Sequence, residues 1–160
     1  TKSFSKFEES LFTEVIPQVE RDYRVKKDRN ARAIAGLSMG GAQSLWIGLN
    51  NPDKFAWVGS FSAGGLTATD LQVSSKAPLS DDLAKEFVQE FPGLNASANT
   101  RFHLIWLACG TDDGLLGINR GFRKWLTSEG IKHTSIETPG EHTWMVWRRN
   151  LANFAPLLFR

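Results

Sequence analysis

A serine flanked by glycines, in a Gly-x-Ser-x-Gly pattern at residues 36–40, is the first feature with the chemistry of a catalytic group. The pattern falls between a predicted strand over residues 31–37 and a predicted helix over residues 40–49. A sharp turn at such a junction exposes the serine hydroxyl above a sheet, and the glycines let strand and helix approach closely. The start of the helix favours a developing oxyanion. We predict that Ser38 is a nucleophile; the alternative is a turn that cradles a phosphate.

Of the three histidines, His142 is the one that follows a predicted strand. In open parallel sheets, active sites lie at the carboxyl ends of the strands. His142 comes after the predicted strand over residues 134–138, whereas His103 and His133 stand at the amino ends of two strands. We therefore predict that His142 is the general base, that His103 is a strand-end residue and that His133 lies in a solvated loop.

A carboxylate is expected at the same edge, where it can hold the histidine in the right tautomer. The segment over residues 109–114 directly follows the apolar run over residues 102–108. It contains Asp112 and Asp113, and spacing alone does not choose between them. The order serine, aspartate, histidine along the chain is that of α/β-hydrolases. The other nearby acids are assigned to loops, a helix N-terminus or the surface: Asp70, Asp81, Asp82 and Glu141.

Helical and strand patterns alternate along the chain, which predicts an α/β fold with a mostly parallel sheet. A first helical pattern runs from Phe4 to Tyr23, and Pro17 should interrupt it. Strands are predicted over residues 31–37, 55–62, 102–108 and 134–138, and helices over residues 40–49, 81–91, 118–128 and 143–158. Ser80 is a candidate N-cap. Residues 1–160 are expected to form a single domain, and residues 64–100 a rim or lid over the site.

Composition excludes several classes of function. The chain has 160 residues, with 19 Lys and Arg against 17 Asp and Glu, and lacks a long basic run, so nucleic-acid binding has little support. No apolar run approaches the roughly 20 residues needed to span a bilayer. The single cysteine, Cys109, cannot form an internal disulfide, and its distance from the histidines argues against a zinc site. The predicted chemistry needs no metal or organic cofactor. The composition does not indicate a cellular compartment.

Four motifs together resemble carbohydrate esterase family 1, the feruloyl esterase group of the α/β-hydrolase superfamily. They are Gly-Leu-Ser-Met-Gly-Gly at residues 36–41, Asn-Pro-Asp-Lys-Phe at residues 51–55, Cys-Gly-Thr-Asp-Asp at residues 109–113, and Gly-Glu-His-Thr-Trp at residues 140–144 with Trp147. The resemblance implies a sheet with helices on both faces, a Ser-His-Asp triad and an acyl-enzyme. It places the acid at Asp113. It also suggests secretion and implies hydrolysis of esters that join hydroxycinnamic or acetic acid to plant cell-wall polysaccharide.

The remaining site residues are assigned around this triad. The backbone N–H of Met39 is the expected oxyanion donor. Trp144 and Leu115 are candidates for lining the substrate pocket, with Met39 beside them. For Trp144, an aryl pocket and plain packing are weighed equally, whereas Trp147 and Trp125 are expected to pack in the core.

The resemblance covers the C-terminal part of an esterase domain. We therefore expect an upstream segment or a companion chain that completes the sheet and supplies a second oxyanion donor. Feruloyl ester hydrolysis is the first choice of activity. The alternatives are an acetyl xylan esterase or another small-acyl esterase, a sugar acyltransferase, and a non-catalytic binding module that retains the hydrolase fold.

Overall fold

A four-stranded parallel sheet is the centre of the fold. In this computed structural model, residues 2–67 and 80–160 are described. The strands are β1 (Ala33–Leu37), β2 (Trp57–Phe61), β3 (Leu104–Gly110) and β4 (Thr134–Thr138), adjacent in the order β1-β2-β3-β4. All three pairings are parallel, so the four carboxyl ends meet at one edge of the sheet. The predicted α/β fold is confirmed.

Helices connect these strands. They are α1 (Lys2–Ser10), α2 (Ile16–Asp22), α3 (Met39–Asn50), α4 (Asp81–Glu90), α5 (Leu116–Ser128) and α6 (Trp144–Phe154), with 3-10 turns at Arg29–Ala31, Ala96–Thr100 and Ala155–Leu157. Within the described ranges, no helix is long and apolar enough to cross a membrane. The Ser80 side chain accepts a hydrogen bond from the Leu83 N–H, which confirms the predicted cap of α4.

The two faces of the sheet carry separate cores. On one face, side chains of β1, β2 and β3 pack with α3, α4 and α5; a Cβ at Gly48 of α3 would lie 2.8 Å from Val58. On the other face, α6 packs through Phe154, whose ring lies so close to Gly59 that a Cβ there would be 2.5 Å from it. Short side chains in the sheet and in α3 thus let helices lie close on both faces.

The predicted lid over residues 64–100 is wrong for its described second half. Leu83, Phe87 and Phe91 are buried, and the Phe87 ring packs against the rings of Phe122 and Trp125 of α5. Their spacing of four residues forms one apolar stripe, so α4 packs into the core of the sheet. Residues 68–79, with Asp70, lie outside the described residues.

Pro17 changes the N-terminal helix without ending it. A π-helical turn over Leu11–Val15 joins α1 to α2, and Ser10, Val15 and Ile16 keep helical backbone angles. Pro17 stands in the first turn of α2, where a missing N–H is tolerated. The wider turn before it absorbs the disruption that the sequence predicts, so the helical path continues.

Candidate active site

Ser38 occupies a strained turn between β1 and α3. Its φ of 54° and ψ of −123° lie outside the regions that non-glycine residues favour. The Ser38 N–H donates to the Phe61 carbonyl at 2.8 Å, and the Ser38 carbonyl accepts from the Ala42 N–H at 3.1 Å. Backbone bonds on both sides therefore hold the strained residue, and its hydroxyl lies at the carboxyl edge of the sheet.

Two of the three motif glycines are needed for close packing. A Cβ at Gly36 would overlap the Gly40 carbonyl, and a Cβ at Gly41 would lie 2.8 Å from Ser60 Oγ. Gly40, in contrast, has nothing within 4 Å of a Cβ. The expectation that the glycines on both sides of Ser38 serve this packing is therefore correct for Gly36 and wrong for Gly40, because Gly41 has that role.

A chain of hydrogen bonds joins the three predicted side chains. His142 Nε2 lies 3.0 Å from Ser38 Oγ, and His142 Nδ1 lies 2.9 Å from Asp113 Oδ2. The Asp113 carboxylate is buried, and its Oδ1 accepts from the Leu115 N–H at 2.8 Å. The His142 side chain is 35% exposed. The imidazole can therefore take a proton from Ser38 on one nitrogen while the other stays bonded to a carboxylate.

Asp112 has a different place. It is exposed, its Oδ2 accepts from the Gly140 N–H at 3.2 Å, and its own N–H donates to the Gly140 carbonyl at 3.0 Å. A Cβ at Gly110 would overlap that same carbonyl. The hydrogen bonds of Asp112 thus link the loop after β3 to the loop that carries His142, and Asp112 does not contact the imidazole.

The other two histidines lie at the amino ends of the strands. His103 Nε2 is 2.9 Å from Asn30 Oδ1, and its ring packs on Trp57 with centroids 4.9 Å apart. His133 Nδ1 is 2.9 Å from the Ile131 carbonyl. Both are remote from Ser38, as their positions before the strands predict.

Trp147 contacts the site, which the sequence reading missed. It packs against the second core, as predicted, but its ring also stands at 89° to the His142 ring with centroids 4.8 Å apart. Its Nε1–H donates to Ser62 Oγ at 3.0 Å. The signal was available in the sequence, because Trp147 lies within the first turn and a half of the helix that follows His142.

Cys109 lies beside the acid and stays uncharged. Burial raises the pKa of its thiol to about 12, and the nearby negative charge of Asp113 adds to the effect. A thiol with so high a pKa is a poor nucleophile at neutral pH. Among the described residues, no group of three histidine, cysteine or acidic side chains is arranged to hold a metal ion.

Trp144 and Leu115, the predicted pocket residues, have different surroundings. Trp144 is 72% exposed and packs edge-on against Trp147, and the two line a cavity of about 390 Å³ together with Leu37 and Phe61. The Gly64 N–H reaches the Ser38 carbonyl at 3.4 Å, and Gly64 lies against the Leu115 side chain. Leu115 is half-buried and packs on the larger core.

Met39 is the first residue of α3 and follows Ser38 directly. Its N–H has no partner within the helix, because the first N–H groups of any helix lack a preceding carbonyl. Its side chain is 60% exposed. The backbone donor at Met39 therefore lies next to the Ser38 hydroxyl.

Comparison with known proteins gives concordant matches. The family model described as "Putative esterase" matches residues 1–158. An endo-1,4-beta-xylanase/feruloyl esterase of Xylanibacter ruminicola is 28% identical over 155 residues, which are 96% of this chain and 18% of that protein. An acetyl esterase of Caldicellulosiruptor saccharolyticus is 25% identical, over 92% of this chain and 61% of the relative.

Solved structures of similar fold include ferulic acid esterases. One such structure has a TM-score of 0.77 and 26% identity, and the match covers 96% of this chain and 62% of the other. A ferulic acid complex of the Anaeromyces mucronatus enzyme has a TM-score of 0.74 and 25% identity, covering 96% of this chain and 54% of the other. The chain therefore spans less than two thirds of the length of these relatives.

Proposed function

Because the chain belongs to the "Putative esterase" family, within the α/β-hydrolases, we propose that it is a serine carboxylic-ester hydrolase. The observation that carries the proposal is the hydrogen-bonded chain from Ser38 through His142 to Asp113. Covalent acyl transfer requires a nucleophile, a base and a carboxylate that orients the base. The strained serine, the partly exposed histidine and the buried carboxylate fit these three roles. Residues 1–160 would then contribute to one esterase domain.

The reaction runs in two halves. Ser38 Oγ attacks the ester carbonyl carbon while His142 Nε2 takes the hydroxyl proton. The tetrahedral intermediate collapses, the carbon–oxygen bond to the alcohol breaks, and His142 returns the proton to the leaving alcohol. Water then attacks the acyl-enzyme and gives its proton to His142. The second tetrahedral intermediate collapses, the bond between the acyl carbon and Ser38 Oγ breaks, His142 returns the proton to Oγ, and the free acid leaves. Throughout, Asp113 accepts the Nδ1–H hydrogen bond and stabilises the positive imidazole.

The Met39 N–H donates to the oxyanion that forms on the former carbonyl oxygen. The start of α3 adds its positive dipole end at the same place. A second donor would strengthen this stabilisation, since oxyanion sites commonly use two N–H groups. We propose that this second donor comes from the upstream segment or companion chain that would pair with β1.

Feruloyl groups are the proposed acyl substrate, and a feruloylated polysaccharide is the proposed natural ester. Two observations support this proposal. Two of the relatives are named as feruloyl or ferulic acid esterases, and Trp144, two residues after His142, exposes an aromatic surface. A planar phenolic acid would pack on Trp144, and Leu115 would be the second residue of its pocket.

Small-acyl ester hydrolysis is the second candidate. It rests on the similarity to the Caldicellulosiruptor saccharolyticus acetyl esterase. An acetyl group needs no aromatic surface, so this candidate gives Trp144 no role in the reaction.

A further strand along β1 is part of the proposal. Among the described residues β1 pairs with β2 alone, and its other side opens on a cavity of about 630 Å³. Apolar side chains line that cavity from both walls, including Phe7, Leu11, Val15, Val19 and Ile34. An apolar edge strand invites pairing. The added strand would come from an upstream segment or a companion chain.

Hydrogen exchange in the protein as its gene encodes it tests this proposal. We expect the outward-facing backbone amides of β1 to exchange slowly. Exchange of these amides at the rate of an unpaired edge strand would argue against the proposal.

Hydrolysis of methyl ferulate and of 4-nitrophenyl acetate, measured side by side, tests the activity. We expect both esters to be cleaved, with Ser38→Ala reducing the rate by about 10⁴-fold or more. Trp144→Ala should raise KM for methyl ferulate and leave KM for the acetate unchanged. A Trp144→Ala variant that handles both esters as the wild type does would favour the small-acyl candidate. Ester cleavage that is unaffected by Ser38→Ala would contradict the proposal.

A further inference from the structure

Four side chains form a continuous series of contacts that contains the histidine and the acid of the site. His142 Nδ1 is bonded to Asp113 at 2.9 Å, and Trp147 stands edge-to-face against the His142 ring. Trp147 is in turn bonded through Nε1 to Ser62 Oγ at 3.0 Å. In the proposed reaction the proton passes between Ser38 and His142 while Asp113 stabilises the imidazole, so Trp147 and Ser62 need a separate explanation.

The series Asp113, His142, Trp147, Ser62 therefore joins the acid to the residue that follows β2. All four residues stand just beyond the carboxyl ends of β2, β3 and β4, or in the first turns of α6. Side chains fixed by such mutual contacts have few alternative rotamers.

Ser62 is the unusual member of this series. It follows β2 directly, is fully buried, and has a φ of +52°, in the left-handed region. Its N–H continues the ladder by donating to the Ala108 carbonyl at 2.7 Å. A glycine would take this backbone conformation at lower cost. What serine adds at this position is the Oγ atom, and that atom is the acceptor for Trp147.

We propose that Ser62 is a positioning residue for His142, and that it acts by anchoring Trp147. This inference rests on the proposed esterase function. With Oγ in place, the indole is held as a wall beside the imidazole, and rotation of the His142 ring away from Ser38 is blocked. Without Oγ, the Trp147 Nε1–H loses its partner in a buried setting, and the indole turns to find another.

The need for such a wall follows from the exposure of His142. Its side chain is 35% exposed and belongs to a loop, where the Asp113 bond fixes one nitrogen only. During the reaction Nε2 must face first Ser38 Oγ and then the leaving oxygen. Because a misplacement of about 1 Å can cost about 10²-fold in rate, a rigid neighbour on the ring has a direct effect on kcat.

The test uses the variants Ser62→Ala, Ser62→Gly and Trp147→Phe, together with the double variant Ser62→Ala/Trp147→Phe. Ser62→Gly removes the hydroxyl and also relieves the backbone, so it separates loss of Oγ from strain. Trp147→Phe keeps an aromatic ring and removes the donor. Trp125→Phe is the control, since Trp125 lies buried in the other core and its Nε1 has no hydrogen-bond partner among the described residues.

We expect each of the three single variants to lower kcat about tenfold with KM unchanged. The double variant should fall no further than either single variant, because both substitutions break the same contact. The low-field proton resonance of His142 Nδ1–H should broaden in all four, whereas Trp125→Phe should keep the wild-type resonance and kcat. If Ser62→Ala does not fold, the kcat and the His142 resonance of Trp147→Phe test the inference alone.

Wild-type kcat in Ser62→Gly and Trp147→Phe would overturn the inference. So would strictly additive effects in the double variant, which would mean that the two side chains act independently. Ser38→Ala, assayed in parallel, separates this failure from failure of the esterase proposal. Ser38-dependent hydrolysis with unaffected Ser62 variants rejects the positioning role only, whereas hydrolysis that does not depend on Ser38 rejects the proposed function itself.

Discussion

Two regions at the carboxyl edge of the sheet hold their side chains in opposite ways. The turn over residues 36–41 places Ser38 by steric packing, with strained backbone angles and glycines in close contact with neighbouring backbone. The loops after β3 and β4 place Asp113 and His142 by hydrogen bonds, from the Leu115 N–H to the Asp113 carboxylate and from the Gly140 N–H to the Asp112 carboxylate. The first region has no room for a Cβ at Gly36 or Gly41, and the second depends on particular donors and acceptors.

This difference matches the role that we propose for each side chain. A nucleophile has to stand at one point, so a rigid turn serves it well. A base has to move a proton between two oxygen atoms, so it needs a directed hydrogen bond and a limited range of ring orientations. Substitutions in the two regions should therefore fail differently, in stability and packing for the first and in activity for the second.

The largest effect is expected in the hydrogen-bonded region. Asp113→Asn keeps the shape of the side chain and removes its charge, so His142 loses its tautomer control and its counter-charge. We expect kcat/KM to fall about 10⁴-fold with little loss of thermal stability. Steady-state hydrolysis of 4-nitrophenyl acetate measures the first and thermal unfolding the second. A fall of less than tenfold would mean that Asp113 does not orient His142.

The next effect belongs to the packed turn. Gly36→Ala places a Cβ against the Gly40 carbonyl, and the backbone must shift. Overpacking of this kind costs about 3 kcal/mol of unfolding free energy and displaces Ser38, so activity should fall as well. Gly40→Ala is the matched control, because its Cβ meets open space. Denaturant unfolding compares the two, and equal loss in both variants would refute the steric account.

A smaller effect is expected at Asp112. Asp112→Ala removes the acceptor for the Gly140 N–H and loosens the link between the two loops, at a cost of about 1 kcal/mol. Activity should fall about tenfold, far less than in Asp113→Asn, because the bond to His142 remains. Parallel kinetics of the two variants test this ranking. If the order were reversed, Asp112 would be the acid of the site.

The smallest effect concerns a carboxylate outside both regions. Glu137 on β4 is bonded to Arg120 at 2.6 Å and to Arg123, and the Arg120 hydrogen bond leads in lowering the pKa of this carboxyl to about 2. A depressed pKa means that its stabilisation is present above about pH 4.5 and is lost as the pH falls towards 2. These side chains are partly exposed, so Glu137→Gln should lower Tm at pH 7 by less than about 4 °C.

The difference in Tm between wild type and Glu137→Gln should shrink between pH 4.5 and pH 2. Thermal scans at pH 7, 4 and 2.5 give this comparison directly. A gap that widens towards low pH would contradict the sign of the Glu137 contribution.

Much of this arrangement was predictable from local sequence pattern. The strand over residues 134–138 has the predicted bounds, and Ser80 caps α4 as expected, because both signals are local. The apolar run predicts that the third strand ends at residue 108, yet Gly110 pairs with Thr138 in the sheet. Pairing with a neighbouring strand extended the element beyond its local pattern.

The site divides in the same way. The sequence singles out Ser38 and His142 because each follows a strand at the same edge. The choice of Asp113 over Asp112 needed the family resemblance, since adjacent residues share that position. The Trp147 contact with Ser62, 85 residues away, depends on how α6 crosses the sheet and has no local signal. Contacts between distant segments account for what the sequence reading missed.

Labelling with a fluorophosphonate tests the central claim that Ser38 is a nucleophile activated by His142. The protein as its gene encodes it would be treated with the reagent and analysed by intact mass and peptide mapping. We predict one adduct per chain, located on Ser38, absent from Ser38→Ala and formed far more slowly in His142→Ala. An adduct that persists in Ser38→Ala, or that forms at the wild-type rate in His142→Ala, would contradict the account.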